Sequence, residues 1–279
     1  MGLVEYIHPS LETLDYKSLK TRSIMVLISV MSFITLFVVS HFVGSFIRTY
    51  NNLRMKEKVF WNLAVVRGIF GCAGSVIGVW GVFFDDVLIE DVVYATCPTS
   101  NFAVHIILGF FIFEVTILGI SEMIYKSFNL LLNVHHWFSL LGFAVVVYFE
   151  CGHFFAVKGV LLEMSTPFSG ICWTLLKCNL QDSFIWKANQ FILVHSFHLR
   201  SVLECHLWYL SYCHMDYIWK VMPLKLFVPL YAQLLLGTVI MTPYWTYKKT
   251  SQMIIPVDWN FDDSNNNKSK NGSAVKKRN

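Results

Sequence analysis

The chain has 279 residues, of which 55% are hydrophobic, 16% aromatic and only 14% charged, and its mean hydropathy is +0.53. Soluble domains carry about 25% charged residues, so a soluble globular enzyme is excluded and a polytopic membrane protein is indicated. The net charge of +4 is small and comes largely from a basic tail after Trp245.

Windows of about 20 apolar residues mark membrane helices. Seven appear, over residues 23–46, 61–84, 102–125, 128–149, 154–176, 184–209 and 224–245. The residues before the first window are polar and mixed in charge, unlike a cleavable signal, so that window is expected to direct insertion. Lys158, Glu163 and Pro167 interrupt the fifth window, and polar groups crowd the sixth. If those two dip into the bilayer without crossing it, the count becomes five.

Basic residues in short loops set the orientation. The first loop carries Arg48, Arg54, Lys56 and Lys58, whereas the second, from Asp85 to Asp91, carries acids and no base. With seven spans, the first loop and the tail share the cytosolic side and the N-terminus is lumenal. The chain then divides into a lumenal segment 1–22, a first membrane helix with its basic loop 23–60, a helical domain 61–247 and a disordered cytosolic tail 248–279. The tail is polar and ends Lys276-Lys277-Arg278-Asn279. Lys276 and Lys277 match a dilysine retrieval signal of the endoplasmic reticulum (ER), read by the COPI coat; a basic tail drawn to anionic lipid is the other reading.

The fourth window holds His135 and His136 side by side. An ionisable residue at membrane depth is a functional-site hypothesis by default, and histidine can serve as base, acid, nucleophile or metal ligand. Adjacent helical residues point about 100° apart, with Ser139 one turn on, so one imidazole can be chemical while the other, or Asn133, fixes its tautomer. Packing between helices is the alternative. In the fifth window Pro167 has no N–H for the carbonyl of Glu163, so a kink is expected there, with Lys158 and Glu163 neutralising one another. In the sixth, Asn189, Ser196 and Arg200 fall on one helical stripe. Arg200 cannot be deprotonated and requires an anionic or carbonyl partner, either Glu204 at i+4 or a ligand phosphate. Arg67, His105, Glu114 and Glu122 are candidates for structural pairs. The histidines lack the separated boxes of membrane di-iron enzymes, so no metal is expected. The seven Cys show no zinc-like spacing, although Cys97 and Cys151 share the same face of the membrane. No phosphate loop, nucleophile elbow or nucleic-acid module appears.

The ordered set His135-His136, Glu163-Met-Ser-Thr-Pro-Phe168, and Asn189 through Phe197 with Arg200 resembles the TLC-domain family of ER membrane proteins, over residues 61–245. The resemblance implies an all-α fold of about seven membrane helices, six forming a TLC barrel and one preceding it, around a tunnel for an acyl chain. It implies acyl-CoA as co-substrate and His135 or His136 as base or nucleophile, with Lys158, Glu163, Asn189, Ser196 and Arg200 as substrate-binding candidates. The sixth window lacks the further aspartates of ceramide synthases, which argues against a sphingoid-base acceptor, and the Arg200 stripe suggests a phosphate-bearing, glycerophospholipid-type one. Further strings, among them Thr242-Pro-Tyr-Trp-Thr246 and Pro256 through Phe261, resemble a branch of that family tied to lipid homeostasis and lysosomal supply. Its expected partners are membrane lipids, the COPI coat, soluble lysosomal hydrolases and other ER export factors. For that branch the alternative role is a non-enzymatic cargo receptor between ER and Golgi.

Overall fold

A computed structural model describes residues 3–261, and every regular element among them is helical. The long elements are α1 (Leu19–Gly44), α2 (Met55–Phe83), α3 (Pro98–Tyr125) and α4 (Leu130–Phe149). A broken rod follows: α5 (His153–Val160), a 3-10 turn (Leu161–Ser165) and α6 (Thr166–Lys177). Then come α7 (Phe184–Cys213), α8 (Leu224–Leu236), a π-helical turn (Gly237–Met241) and α9 (Thr242–Ile254). The fold is that of an all-α polytopic membrane protein.

Five of these elements are long and apolar enough to cross a bilayer: α1, α2, α3, α4 and the continuous rod α8–α9. The broken rod α5–α6 and the polar helix α7, which the sequence windows also marked, are not among the five. Packing closes a ring in the order α2, α5–α6, α7, α8–α9, α4, α3 and back to α2, with α1 outside against α2 and α3. The stacked rings of Phe70 and Phe110, 3.6 Å apart, join α2 to α3, and Phe33 of α1 packs edge-on against both.

Glycines let α2 approach the broken rod. A Cβ on Gly78 would lie 2.5 Å from Leu161, one on Gly74 2.9 Å from Val160, and one on Gly71 2.8 Å from the Glu163 carbonyl. Small residues of this kind allow close backbone contact where hydrocarbon supplies no hydrophobic drive between helices. The contact fixes the height of the 3-10 turn, and with it Glu163.

The two ends of the ring differ in charge. At the basic end the Lys177 ammonium bridges Glu57 at 2.5 Å and Asp258 at 2.8 Å. At the acidic end Arg22 pairs with Glu150, and Asp85 and Asp91 cap the loop before α3. Cys97 and Cys151 are free thiols there, bonded to Asp85 and to the Val93 carbonyl.

Residues 248–261, expected to be disordered, are folded. Helix α9 runs through Ile254, and the chain then folds back so that Asp258 accepts from the Trp173 indole and Phe261 packs on Phe60. These contacts hold down a stretch whose residues are otherwise half-buried or exposed. Lys276 and Lys277 lie outside the described residues.

Candidate functional site

Two cavities meet inside the ring. One descends between α4, α5, α7 and α8 and has largely apolar walls, including Phe143, Val146, Phe155 and Leu207. The other opens at the basic end among Arg67, Trp245, Lys248, Lys249 and Trp259. His135, Glu163 and Arg200 line both cavities. These three side chains therefore form the junction between an apolar well and a basic vestibule.

Each junction residue is held by local structure. The Asn129 side chain accepts from the Leu132 N–H at 3.2 Å and caps α4, which starts the helix that carries His135 inward. The Nε2 of His135 stands 3.5 Å from Oε1 of Glu163, and its ring meets Trp245 edge-on at 5.6 Å. Among the described residues no protein group bonds the Nδ1 of His135. Glu163 is fixed from its other oxygen by the Thr166 hydroxyl at 2.6 Å.

Pro167 produces the 3-10 turn without a simple kink. The Thr166 N–H turns back to the Glu163 carbonyl, and the Leu162 carbonyl one residue earlier accepts from Arg200 Nη1 at 3.0 Å. Arg200 Nε also donates to the Thr242 hydroxyl at 2.9 Å, and that hydroxyl donates to Glu204 at 2.6 Å. Glu204 itself lies 3.4 Å from Arg200 Nε. A carbonyl, a hydroxyl and a carboxylate thus anchor the guanidinium, while its Nη2 has no protein acceptor among the described residues.

His136 occupies a different environment. It is buried behind the junction, its Nε2 3.8 Å from Glu114, which Arg67 holds through its Nε at 2.8 Å. Neither ring nitrogen of His136 forms a hydrogen bond. Asn133 and Ser139 do not orient it: Asn133 donates to Glu122, and Ser139 accepts from Gln233.

Three of the expected substrate-binding residues lie away from the junction. Lys158 is fully buried, and its ammonium meets His206 of α7; Glu163 is not its partner. Residues five apart on a helix point about 140° apart, which separates Lys158 from Glu163. Asn189 donates to the Phe168 carbonyl at 2.9 Å and ties α7 to α6. Ser196 spends its hydroxyl on the Ile192 carbonyl of its own helix. The cavity face of α7 runs instead through Arg200, Glu204, Leu207 and Ser211. Gln233, Trp245, Lys248 and Lys249 also line the cavities and Thr242 holds Arg200, although the sequence marked Thr242 and Trp245 only within a resembling string and the lysines only as part of a basic tail. Among the described residues no cluster of three or more His, Cys, Asp or Glu is arranged to hold a metal ion.

Neither a protein-family model nor a solved structure matches the chain. Curated relatives do. Protein CLN8 of Mus musculus is 40% identical over 266 residues, covering 93% of this chain and 90% of the mouse protein. Protein CLN8 of Homo sapiens is 37% identical over 277 residues, covering 96% of each. Protein CLN8 of Rattus norvegicus is 40% identical over 258 residues, covering 90% of this chain and 88% of the rat protein. Identity at this level along nearly the whole length means that the chain belongs to the CLN8 family, the TLC-domain group linked to neuronal ceroid lipofuscinosis.

Proposed function

We propose that this multi-pass protein transfers an acyl group from acyl-CoA to a small phosphate-bearing, glycerophospholipid-type acceptor, with His135 as the base. The observation that carries this reading is the junction itself. An apolar well suited to an acyl chain and a basic vestibule suited to phosphates meet at one imidazole with a free Nδ1. The acyl chain lies in the well with its thioester carbonyl beside His135. The CoA phosphates and the acceptor phosphate lie towards Lys248 and Lys249.

The chemistry then balances. His135 takes the proton of the acceptor hydroxyl as its oxygen attacks the thioester carbonyl. The Glu163 carboxylate orients the ring and stabilises the imidazolium, and the Nη2 of Arg200 faces the developing negative charge. The carbon–sulfur bond breaks, and the CoA thiolate leaves with the proton held by His135. A base with pKa near the working pH is what such a step requires. His136, buried with its Nε2 3.8 Å from Glu114, packs behind His135.

The family supports an ER membrane protein linked to lysosomal function. The basic end, with the vestibule, then faces the cytosol, where acyl-CoA is available. Cycling to the ER-Golgi intermediate compartment through Lys276, Lys277 and the COPI coat belongs to the same proposal. A cargo-receptor role for lysosomal hydrolases has one supporting feature: Asp86 and Glu90 are exposed at the acidic end.

The test is purified protein in nanodiscs with radiolabelled palmitoyl-CoA and a panel of glycerophospho acceptors. Wild type should yield acylated product and His135→Ala none, at unchanged folding. Full product from His135→Ala would remove the base and the reading with it. Loss of hydrolase export in Asp86→Asn/Glu90→Gln cells, with export intact in His135→Ala cells, would favour the receptor.

A further inference from the structure

The apolar well has a measurable depth. Along α4 its lining runs from His135 to Val146, and along α7 from Arg200 to Ser211. Each stretch rises about 16 Å at 1.5 Å per residue. That is about half of the ~30 Å hydrocarbon core, the depth of one leaflet and hence of one long acyl chain.

On α5 and the 3-10 turn, the residues lining the well are Phe155, Ala156, Gly159, Leu162 and Glu163. At about 100° per residue Gly159 sits at the centre of that face. A Cβ built on Gly159 meets no atom within 4 Å. The contrast is Gly142 on the facing helix, where a Cβ would lie 2.8 Å from the Gln233 amide oxygen. Gly142 is required by packing, because Gln233 must reach Ser139. Gly159 is not. A glycine inside a helix is destabilising relative to alanine, and no close contact at Gly159 offsets that cost. What its missing side chain provides is space in the well.

We propose that Gly159 is the chain-length gauge of this protein: it keeps the middle of the well open so that one long acyl chain can reach the acidic end. Gly159 stands four residues from Glu163, about 6–8 Å along the mixed 3-10 and α rod. A side chain there closes the well near half depth. The proposal rests on the acyl-transfer reading for its turnover readout, but chain binding can be measured without turnover.

The experiment compares wild type with Gly159→Leu and Gly159→Phe, using octanoyl-, lauroyl-, palmitoyl- and stearoyl-CoA. Transfer is measured alongside the amount of each acyl-CoA retained by the purified protein, quantified by mass spectrometry. Thermal midpoints in detergent identify any variant that fails to fold; since open space surrounds residue 159, Gly159→Leu should fold normally. Wild type should retain and use palmitoyl and stearoyl chains. Both variants should lose these by tenfold or more while keeping octanoyl. An unchanged chain-length profile in folded Gly159→Leu and Gly159→Phe overturns the gauge. If wild type transfers nothing but retains palmitoyl-CoA, and the variants retain only octanoyl-CoA, the gauge holds and the transferase reading fails.

Discussion

Glu163 on the 3-10 turn faces His135 on α4 across 3.5 Å, while the adjacent His136 is turned towards Glu114 at 3.8 Å. Two neighbouring imidazoles are thereby given separate carboxylates on separate helices. His135 lines both cavities, and His136 only the vestibule. The functional difference follows from this division. His135→Ala should lower acyl transfer by about 10²–10⁴-fold, the usual contribution of a general base. Glu163→Gln should lower it less, because the amide still orients the ring but no longer stabilises its charged form. His136→Ala should leave measurable turnover and reduce the thermal midpoint. Equal activity losses for the two histidine variants, with both folded, would contradict the division of roles.

Arg200 is the second point of rigidity. Its guanidinium is 4% exposed and Glu204 1%, and the Thr242 hydroxyl joins them. Removing one member of a buried pair leaves an uncompensated charge and costs about 3–5 kcal/mol. Arg200→Met should therefore destabilise the protein by that order, whereas Arg200→Met combined with Glu204→Met should recover much of the loss. Thermal unfolding in detergent separates these outcomes. A double variant no more stable than Arg200→Met would mean that the cluster acts through shape rather than charge.

The acidic end responds to alkaline pH. Burial, reinforced by the hydrogen bond to Asp85, pushes the Cys97 thiol from an ordinary 9.0 up to about 12. Burial, with the Asp91 charge, pushes Cys151 up to about 11. Above pH 9 the folded chain holds these protons while the unfolded chain releases them. The stabilising contribution is thus complete below pH 9 and is lost as pH rises through 11 and 12. Thermal midpoints should fall over that window, and fall less steeply in Cys97→Ala/Cys151→Ala. Parallel curves for the variant and wild type would show that other groups govern the alkaline limb.

The fold was legible in the sequence where hydrocarbon imposes it. Apolar windows, the broken fifth segment and the Arg200–Glu204 spacing all follow from helical period and the cost of unpaired backbone in lipid. The junction was only partly legible. Glu163 and His135 lie 28 positions apart in the sequence, and no local pattern states that a glycine seam on α2 will lift one to the height of the other. Thr242 and Trp245 stood out only as part of a resembling string, and their place in the site was hidden for the same reason, since a π-helical turn at Gly237–Met241 sets their rotation. Ser196 was placed in the site because a stripe gives angle but not neighbour. Lys158 was misassigned to Glu163 through proximity in sequence, although it lies on another face.

The segment after α9 gives the last prediction. The Asp258 carboxylate accepts from the Trp173 indole at 3.2 Å and pairs with Lys177 at 2.8 Å. Phe261 packs against Phe60 and Trp173, with centroids 5.4 and 5.8 Å away. Between them Trp259 and Asn260 line the vestibule, with the Lys248 ammonium 5.1 Å from the Trp259 ring. The segment is therefore a strap over the basic mouth, fastened by one carboxylate and one aromatic ring. Asp258→Asn keeps a hydrogen-bond acceptor for Trp173 but removes the charge facing Lys177, which Glu57 still holds. A partly exposed ion pair contributes about 0–1 kcal/mol, so the global thermal midpoint should scarcely move. Phe261→Ala removes the second fastening, and the double variant should free the strap. Hydrogen exchange of residues 255–261 should then rise well above that of either single variant, while protection within α2 and α6 stays unchanged. Equal protection of the strap in wild type and the double variant would show that backbone contacts, such as Gln252 to the Val257 carbonyl at 2.7 Å, are what hold it down.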